Sequence, residues 1–373
     1  MPEIDYSQEW LTVNAPGRAE LLGNHTDYNQ GLILSLAINR YITFRSIKRN
    51  DRILKITAQD ADGDKTWQGS LDNLTPQSKN TWVNYIIGVI AYLEENDHKL
   101  RGIEITFKNN IPVGAGLSSS AALEAATLLT CQKHFPFQMT AMEMAQACQW
   151  AEHHYAGVMC GLLDQMSVLS SHENHINYID FQNFSMQKIT FPDSYSFVIV
   201  NSGISHALVD GGYNERRQSC EEAAAILGKP SLRHVSLEEL AAAKDKLPEL
   251  PYKRACHIVQ ENDRVTRALE HITNHQIEQF GEILFASHQS SIDNFENSCP
   301  ELDTLVEFSK NHPACLGARL SGGGFGGATI NLVHKEQTND FAIAISEHYK
   351  SKYAQTPLTI VTQPAPGAAH FIN

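Results

Sequence analysis

The run VGAGLSSSAALEAATLL, residues 113–129, limits the possible folds more than any other stretch of this chain. It follows IEITF (103–107), a strand-like segment, and the turn KNNIPVGAG, and it passes into good helix formers from Ala121 to Leu129. The chain must therefore turn from strand to helix with Ser118, Ser119 and Ser120 at the helix mouth. Unpaired amides at a helix start, with the positive end of the helix dipole, favour an anion. Gly114 and Gly116 let the backbone approach that anion closely. The plain alternative is a capped helix after a flexible turn, since serine is a favoured N-cap. One cap needs one serine, and three are present. A triphosphate suits such a mouth, but no GxxxxGK[ST] sequence exists in the chain, so a Walker-type site is not supported and the triphosphate would be held by another architecture.

The rest of the chain reads as α+β. Strand-like runs occur at 32–47, 53–58 and 103–107, with the polar turn DADGD at 60–64. From Thr140 a helix is expected to run to Gly157, opened by a capping box of Thr140 and Glu143. SFVIVNSGI (196–204) reads as a buried strand, followed by helical sequence to about 310 and then strand-rich GARLSGGGFGGATINLV and PLTIVTQ. Strands come in groups rather than alternating strictly with helices, which favours α+β over a doubly wound sheet. At 373 residues and 42% hydrophobic, the chain is long enough for two domains. The expected halves are 1–190 and 191–373.

Composition narrows the partners. A formal charge of −13 argues against a nucleic-acid or acidic-membrane surface, which needs clustered Lys and Arg. Seven cysteines, odd in number and without CxxC spacing, suit a reducing cytosol. MPEIDYSQEW has no basic region followed by an apolar run, and no apolar stretch approaches the length of a membrane span. A cytoplasmic protein, monomeric or weakly oligomeric, is expected.

Three motifs then carry a resemblance. PVGAGLSSSAALEAA resembles the second motif of the GHMP kinases, APGRAELLGNHTDYNQG (15–31) resembles the signature of their galactokinase branch, and GARLSGGGFGGATI (317–330) resembles the third motif. TWVNYIIGVI, AEHHYAGVMCGLLDQ, YNERRQSCEEAA and SCPELDTLV extend the likeness over nearly the full length. The resemblance implies two domains, an N-terminal one of the ribosomal-protein-S5 type and a C-terminal α+β one, with the active site between them. It implies transfer of the γ-phosphoryl of ATP to the anomeric hydroxyl of a sugar, galactose first, with Mg²⁺ as cofactor.

The family roles fall on particular residues. Asp164 in GLLDQ matches the catalytic aspartate, placed to accept the proton of the C1 hydroxyl, and Arg18 matches the active-site arginine beside it. His25, Asp27, Gly161 and Tyr213 match sugar-contacting positions. Gly114, Gly116, Leu117, Ser118, Ser119 and Ser120 form the implied phosphate loop, and Trp82 and Tyr85 the aromatic pair near the adenine. Ser120 and Glu152 match the metal-binding pair, oxygen ligands of the kind Mg²⁺ favours. Read without the family, Asp164 is a helix cap, Glu152 a surface glutamate, the DYNQG stretch a turn, and Trp82 with Tyr85 one packed helix face.

Two tempting readings fail. GGGFGG contains GxGxxG spacing at Gly322, Gly324 and Gly327, yet ATINLV after it is strand-like, whereas a dinucleotide fingerprint opens a helix. The histidines 153, 154, 172 and 175 have no recognisable zinc spacing and read as surface residues. One departure stands out: the family has glutamate before the histidine of HTDY, near the sugar's C6 hydroxyl, and this chain has Asn24. Loss of a charged acceptor removes a hydrogen bond of roughly 1.5–3 kcal/mol and ends repulsion of a C6 carboxylate. That opens galacturonate, N-acetylgalactosamine or a pentose as alternative substrates. Ser35, where the family has proline, lies near the same wall. A non-catalytic sugar sensor of the same family would have a disrupted second motif, whereas Ser119, Ser120, Ala121 and Ala122 are intact.

Overall fold

A long antiparallel pair, β1 (Leu11–Leu22) and β2 (Leu32–Lys48), forms the spine of the protein, whose computed structural model describes residues 9–59, 63, 65–79, 81–205 and 209–371. The first half of β2 is buried on both faces, which is why LILSLAI is apolar at every position but Ser35, whose hydroxyl is hydrogen-bonded; farther along the burial alternates. β1 carries Pro16 and shifts register between Pro16 and Arg18 and again between Glu20 and Leu22. It pairs only with β2, an edge position where a proline's missing amide is tolerated.

β3 (Ile53–Ala58), β4 (Lys65–Ser70), α1 (Val83–Glu95), β5 (Ile103–Asn109), α2 (Ser119–His134), α3 (Ala141–Ala151), α4 (Leu163–Ser170), β6 (His175–Asp180) and β7 (Ser185–Thr190) complete the first half. The seven-stranded sheet runs β4-β3-β5-β2-β6-β7 with β1 on β2, and only β3 and β5 are parallel. Helices α1 to α4 pack together, and α2 and α4 seat on β1 and β2. The DADGD turn falls mostly outside the described residues.

The second half begins with β8 (Tyr195–Ser205) and α5 (Val209–Ile226), followed by α6 (Leu237–Ala242), α7 (Glu249–Thr273), α8 (Ile277–Ser290) and α9 (Pro300–Lys310). β9 (Cys315–Ser321), β10 (Gly326–His334), α10 (Thr338–Tyr353) and β11 (Leu358–Thr362) close it. Its four strands form an antiparallel sheet in the order β11-β8-β10-β9. Grouped strands and mixed pairing match the α+β expectation. No described helix is long and apolar enough to cross a membrane, and all seven cysteines are free.

The halves share their interior. One apolar cluster joins Leu36 and Phe44 of the first sheet to Phe280, Ile330 and Leu332 of the second half. α7 reaches across: Glu261 Oε1 accepts from the Gly23 amide at 3.1 Å, and Asn262 Oδ1 from the Leu32 amide at 2.8 Å. α8 lies directly on β9 because Gly281 and Gly317 face each other; a Cβ on either would stand 2.2 Å from backbone atoms opposite. Gly281→Ala must lift the helix off the sheet, and chemical denaturation is expected to show a loss of about 1–3 kcal/mol, the usual range for overpacking.

Candidate active site

A cavity of about 620 Å³ opens at the junction of the halves, lined by Arg18, Glu20, Asp27 and Asp164 from the first and by Tyr213 and Gly322 from the second, among others. A second cavity, about 420 Å³, is lined by methionines with His172, Phe184 and Lys188, with no carboxylate on its wall among the described residues. The chemistry is concentrated in the first.

Asp164, in the first turn of α4, is the best-held carboxylate there. Arg18 Nε and Nη2 both reach its Oδ1, at 2.7 and 2.5 Å, and the Ser118 hydroxyl donates to Oδ2. Arg18 Nη1 donates to the Gly116 carbonyl at 2.6 Å, and the Arg18 amide to the Leu117 carbonyl at 3.2 Å. Strand β1, the glycine turn and α4 are thus tied at one point. A carboxylate offers about four lone-pair positions, and three are taken. With its side chain 26% exposed, Asp164 keeps the remaining one for the cavity.

The helix mouth is not capped. Ser118 adopts the left-handed conformation (φ 55°, ψ 50°), and no side chain caps α2. Since the Ser118 hydroxyl is spent on Asp164, the first amides of α2 are left for a ligand. Gly114 and Gly116 have φ of 75° and 66°. Gly322, at φ 85°, brings the third motif against Gly116, where an added Cβ would lie 3.6 Å from the Gly116 carbonyl oxygen. β10 rather than a helix follows the glycines, in line with the rejection of a dinucleotide fingerprint. Ser119 and Ser120 open α2, whereas the Leu117 side chain is buried in the core, leaving only its backbone to the loop.

The expected helix from Thr140 forms with its capping box but widens after Ala151 into a π turn, Glu152–Ala156, ending at Gly157. Such turns re-aim side chains, and this one buries Glu152, 6% exposed, instead of leaving it on the surface. Its carboxylate accepts from Gln165 Nε2 at 2.8 Å, from the Cys160 thiol at 3.2 Å and from the Ser120 side chain. Burial, then the charge of Asp164, pushes its pKa up to about 7. Sequence reasoning missed Glu124, one helical turn beyond Ser120, fully buried with Oε1 unpartnered and Oε2 3.4 Å from the same Gln165 amide. Burial and the nearby Glu152 charge raise it far above the usual range.

On the sugar-signature side, Asp27 starts a short 3₁₀ turn and faces Gly161, where a Cβ would meet the carboxylate at 2.0 Å. Burial pushes Asp27 up to about 6. His25 is engaged at both ring nitrogens, by the Tyr28 hydroxyl at 3.0 Å and the Gly323 carbonyl at 3.1 Å, and burial lowers it to about 4. Tyr213 packs on it, ring centroids 5.0 Å apart. Asn24 donates both amide hydrogens, to Glu20 Oε1 at 3.0 Å and the Gly322 carbonyl at 2.8 Å, while its oxygen accepts from Asn297 at 2.9 Å. Ser35 pairs across the strands with Glu20 and shares hydrogen bonds with Ser167 and Asn177. Trp82 and Tyr85 pack on the main core outside the cavity wall; Trp82 meets Phe107 at 5.5 Å, and burial beside Glu152 pushes Tyr85 up to about 12. His153 and His154 bond to backbone carbonyls, and no metal-binding cluster of His, Cys, Asp or Glu occurs among the described residues.

The galactokinase galactose-binding signature matches residues 3–45, the GHMP kinase N-terminal domain 84–172 and the GHMP kinase C-terminal domain 267–351. Human galactokinase is 38% identical over 368 residues, covering 96% of this chain and 91% of the human protein. The chain belongs to the galactokinase family of GHMP kinases. Another galactokinase, from Glaesserella parasuis, is 37% identical over 371 residues, covering 94% of this chain and 95% of its own. The crystal structure of Lactococcus lactis galactokinase complexed with galactose superposes with a TM-score of 0.92 at 31% identity, over 97% of this chain and 95% of that one. A mevalonate kinase shares the fold with a TM-score of 0.67 at 18% identity, covering 95% and 98%.

The raised Glu152 carboxyl has a sign that stability can report. From its ordinary 4.5 to about 7 the folded protein holds a proton that the unfolded chain releases, so stability falls as pH rises through that window. Glu152→Gln keeps an oxygen for Gln165 and removes this loss. Thermal unfolding is expected to favour the variant at about pH 8, relative to about pH 5, by on the order of 1–3 kcal/mol.

Proposed function

We propose that the protein transfers the γ-phosphoryl of ATP to the anomeric hydroxyl of galactose, giving galactose 1-phosphate and ADP. The observation that carries this reading is the meeting of Arg18, Ser118 and Asp164 where the uncapped mouth of α2 opens on the cavity. The amides of α2 and the glycine turn hold the triphosphate, and the sugar lies against Asp27, Gly161 and Tyr213 with its C1 hydroxyl toward Asp164.

In the reaction the C1 oxygen forms a bond to the γ-phosphorus as the bond to the β-phosphate oxygen breaks, ADP leaves, and the hydroxyl proton passes to Asp164. Phosphoryl transfer needs positioning and charge neutralisation above all. Arg18 supports both, because it orients Asp164 and brings a guanidinium to the reacting end. The family resemblance assigns Trp82 and Tyr85 to the adenine side, although both pack on the core outside this cavity wall. Mg²⁺ fits at Ser120 and Glu152, since a buried carboxylate and a hydroxyl stand together there beside the orphaned Glu124 oxygen. When bound, it neutralises phosphate charge.

Purified protein with ATP, Mg²⁺ and a panel of aldoses is expected to form ADP fastest with galactose; no ADP with any aldose would end the reading. Asp164→Asn is expected to lose about a hundredfold to ten-thousandfold in kcat, the usual worth of general-base catalysis, while calorimetry shows galactose still binding.

A further inference from the structure

The sequence suggests that Asn24 costs the sugar pocket its charged acceptor. The neighbours of Asn24 point elsewhere: both of its amide hydrogens are donated within the protein, to Glu20 and to the Gly322 carbonyl. Nothing is left on that nitrogen for a ligand. The carboxylate it bonds belongs to a residue that neither motif spacing nor family position assigned.

Glu20 lines the cavity and is only 4% exposed. Its Oε1 accepts from Asn24 at 3.0 Å and from Arg319 at 2.9 Å, which fixes the side chain. Its Oε2 has no hydrogen-bond partner among the described residues, yet is not among the sealed, partnerless atoms, so it borders the open space. Arg18 and Glu20 lie two residues apart on β1, in register with Ala37 and Ser35 of β2, and therefore share a face of the strand. Two residues of strand span about 6.6 Å, close to the width of a sugar ring. A sugar with its reacting hydroxyl at Asp164 and Arg18 thus ends its far side at Glu20. Glu20 and Asp27 line the same cavity, and the Glu20 charge adds a little to the burial that raises Asp27. Of the groups on the far side of a hexose, the hydroxymethyl arm is the one that projects to an oxygen so recessed.

We infer that Glu20, rather than Asn24, supplies the charged acceptor for the C6 hydroxyl, so that the protein selects a neutral hexose over both a hexuronic acid and a pentose. This rests on the sugar-kinase reading above and narrows its substrate. Asn24 is then a positioning residue: with Arg319 it holds one carboxylate oxygen so that the other faces the sugar. Galacturonate would bring a second negative charge against Glu20, and a pentose or 6-deoxygalactose would leave Oε2 desolvated and unpaired.

The test compares kcat/KM for galactose, 6-deoxygalactose, L-arabinose and galacturonate in the native protein and in Glu20→Gln. The native protein is expected to prefer galactose over 6-deoxygalactose and L-arabinose by about tenfold to a hundredfold, as befits a hydrogen bond to a charged group, and over galacturonate by more. In Glu20→Gln the preference over 6-deoxygalactose is expected to shrink by about tenfold, even if overall turnover falls. A structural role alone would lower both sugars together and leave the ratio unchanged, which would overturn the inference. Native protein that uses 6-deoxygalactose or galacturonate as well as galactose would overturn it without any variant, so a Glu20→Gln protein that does not fold leaves the native ratios to decide. Turnover on no sugar would sink the kinase reading along with it; turnover without discrimination at C6 would sink this inference alone.

Discussion

A carboxylate and a guanidinium, both nearly sealed from water, hold the two halves of the protein in register. Glu20 on β1 and Arg319 on β9 meet at 2.9 Å, and Arg319 is wholly buried. Taking two such charges out of water offsets most of their attraction, so the pair adds little net stability over apolar residues of the same volume. Its importance lies in what it forbids. Either charge alone would be buried without the opposite charge it pairs with, at a cost of about 3–5 kcal/mol, so arrangements that part β1 from β9 are penalised. Ser321 repeats the constraint in neutral form: its hydroxyl accepts from the Glu20 amide at 3.2 Å and donates to the Glu20 carbonyl at 3.1 Å. Gly322 and Gly323 follow directly into the cavity wall, and Arg18 stands two residues back along β1. The placement of the site follows from this junction.

The proposed phosphate loop and the proposed base share one serine hydroxyl. A serine at a helix start normally turns its hydroxyl onto the first amides. Ser118 does not, because a left-handed backbone directs the hydroxyl to Asp164 instead. A non-glycine residue in that region costs on the order of 1–3 kcal/mol and persists only where its surroundings enforce it. Here Arg18 enforces it, bonding both Asp164 and the Gly116 carbonyl. One hydroxyl thereby leaves the amides open and steadies the carboxylate.

Local pattern made much of this legible. The capping box at Thr140, the strand-like run of β2 and the strand after GGGFGG are written in neighbouring residues, and they formed as read. β1 escaped because Pro16, Gly17 and two charged residues break its alternation; bulges, an edge position and a distant arginine accommodate them. The π turn escaped because a 3.6-residue period cannot announce one extra residue. Glu20, Glu124 and Asn297 escaped for a common reason: each is defined by a partner far along the chain, 299, 41 and 273 residues away. A buried glutamate and a surface glutamate look alike until the fold supplies the other side of the bond.

Charge poses the last problem. The chain carries a formal −13, no lysine among the described residues lines the cavity, and Asp27, Glu124 and Glu152 are all raised by burial. A triphosphate entering such a site would meet repulsion unless positive charge came with it. The amides of α2 and the Arg18 guanidinium supply part. A divalent cation at Ser120 and Glu152 would supply the rest, and its arrival would favour the ionised form of Glu152 that burial disfavours. Nucleotide, metal and that carboxylate's proton would then be thermodynamically linked: the nucleotide would need the metal's charge, and the metal the ionised carboxylate. A lysine-rich site would hold the triphosphate without a metal. With the metal placed as proposed, acids buried around an uncapped helix tip would reserve tight binding for the metal-bound nucleotide, the form in which phosphoryl transfer has the least charge left to neutralise.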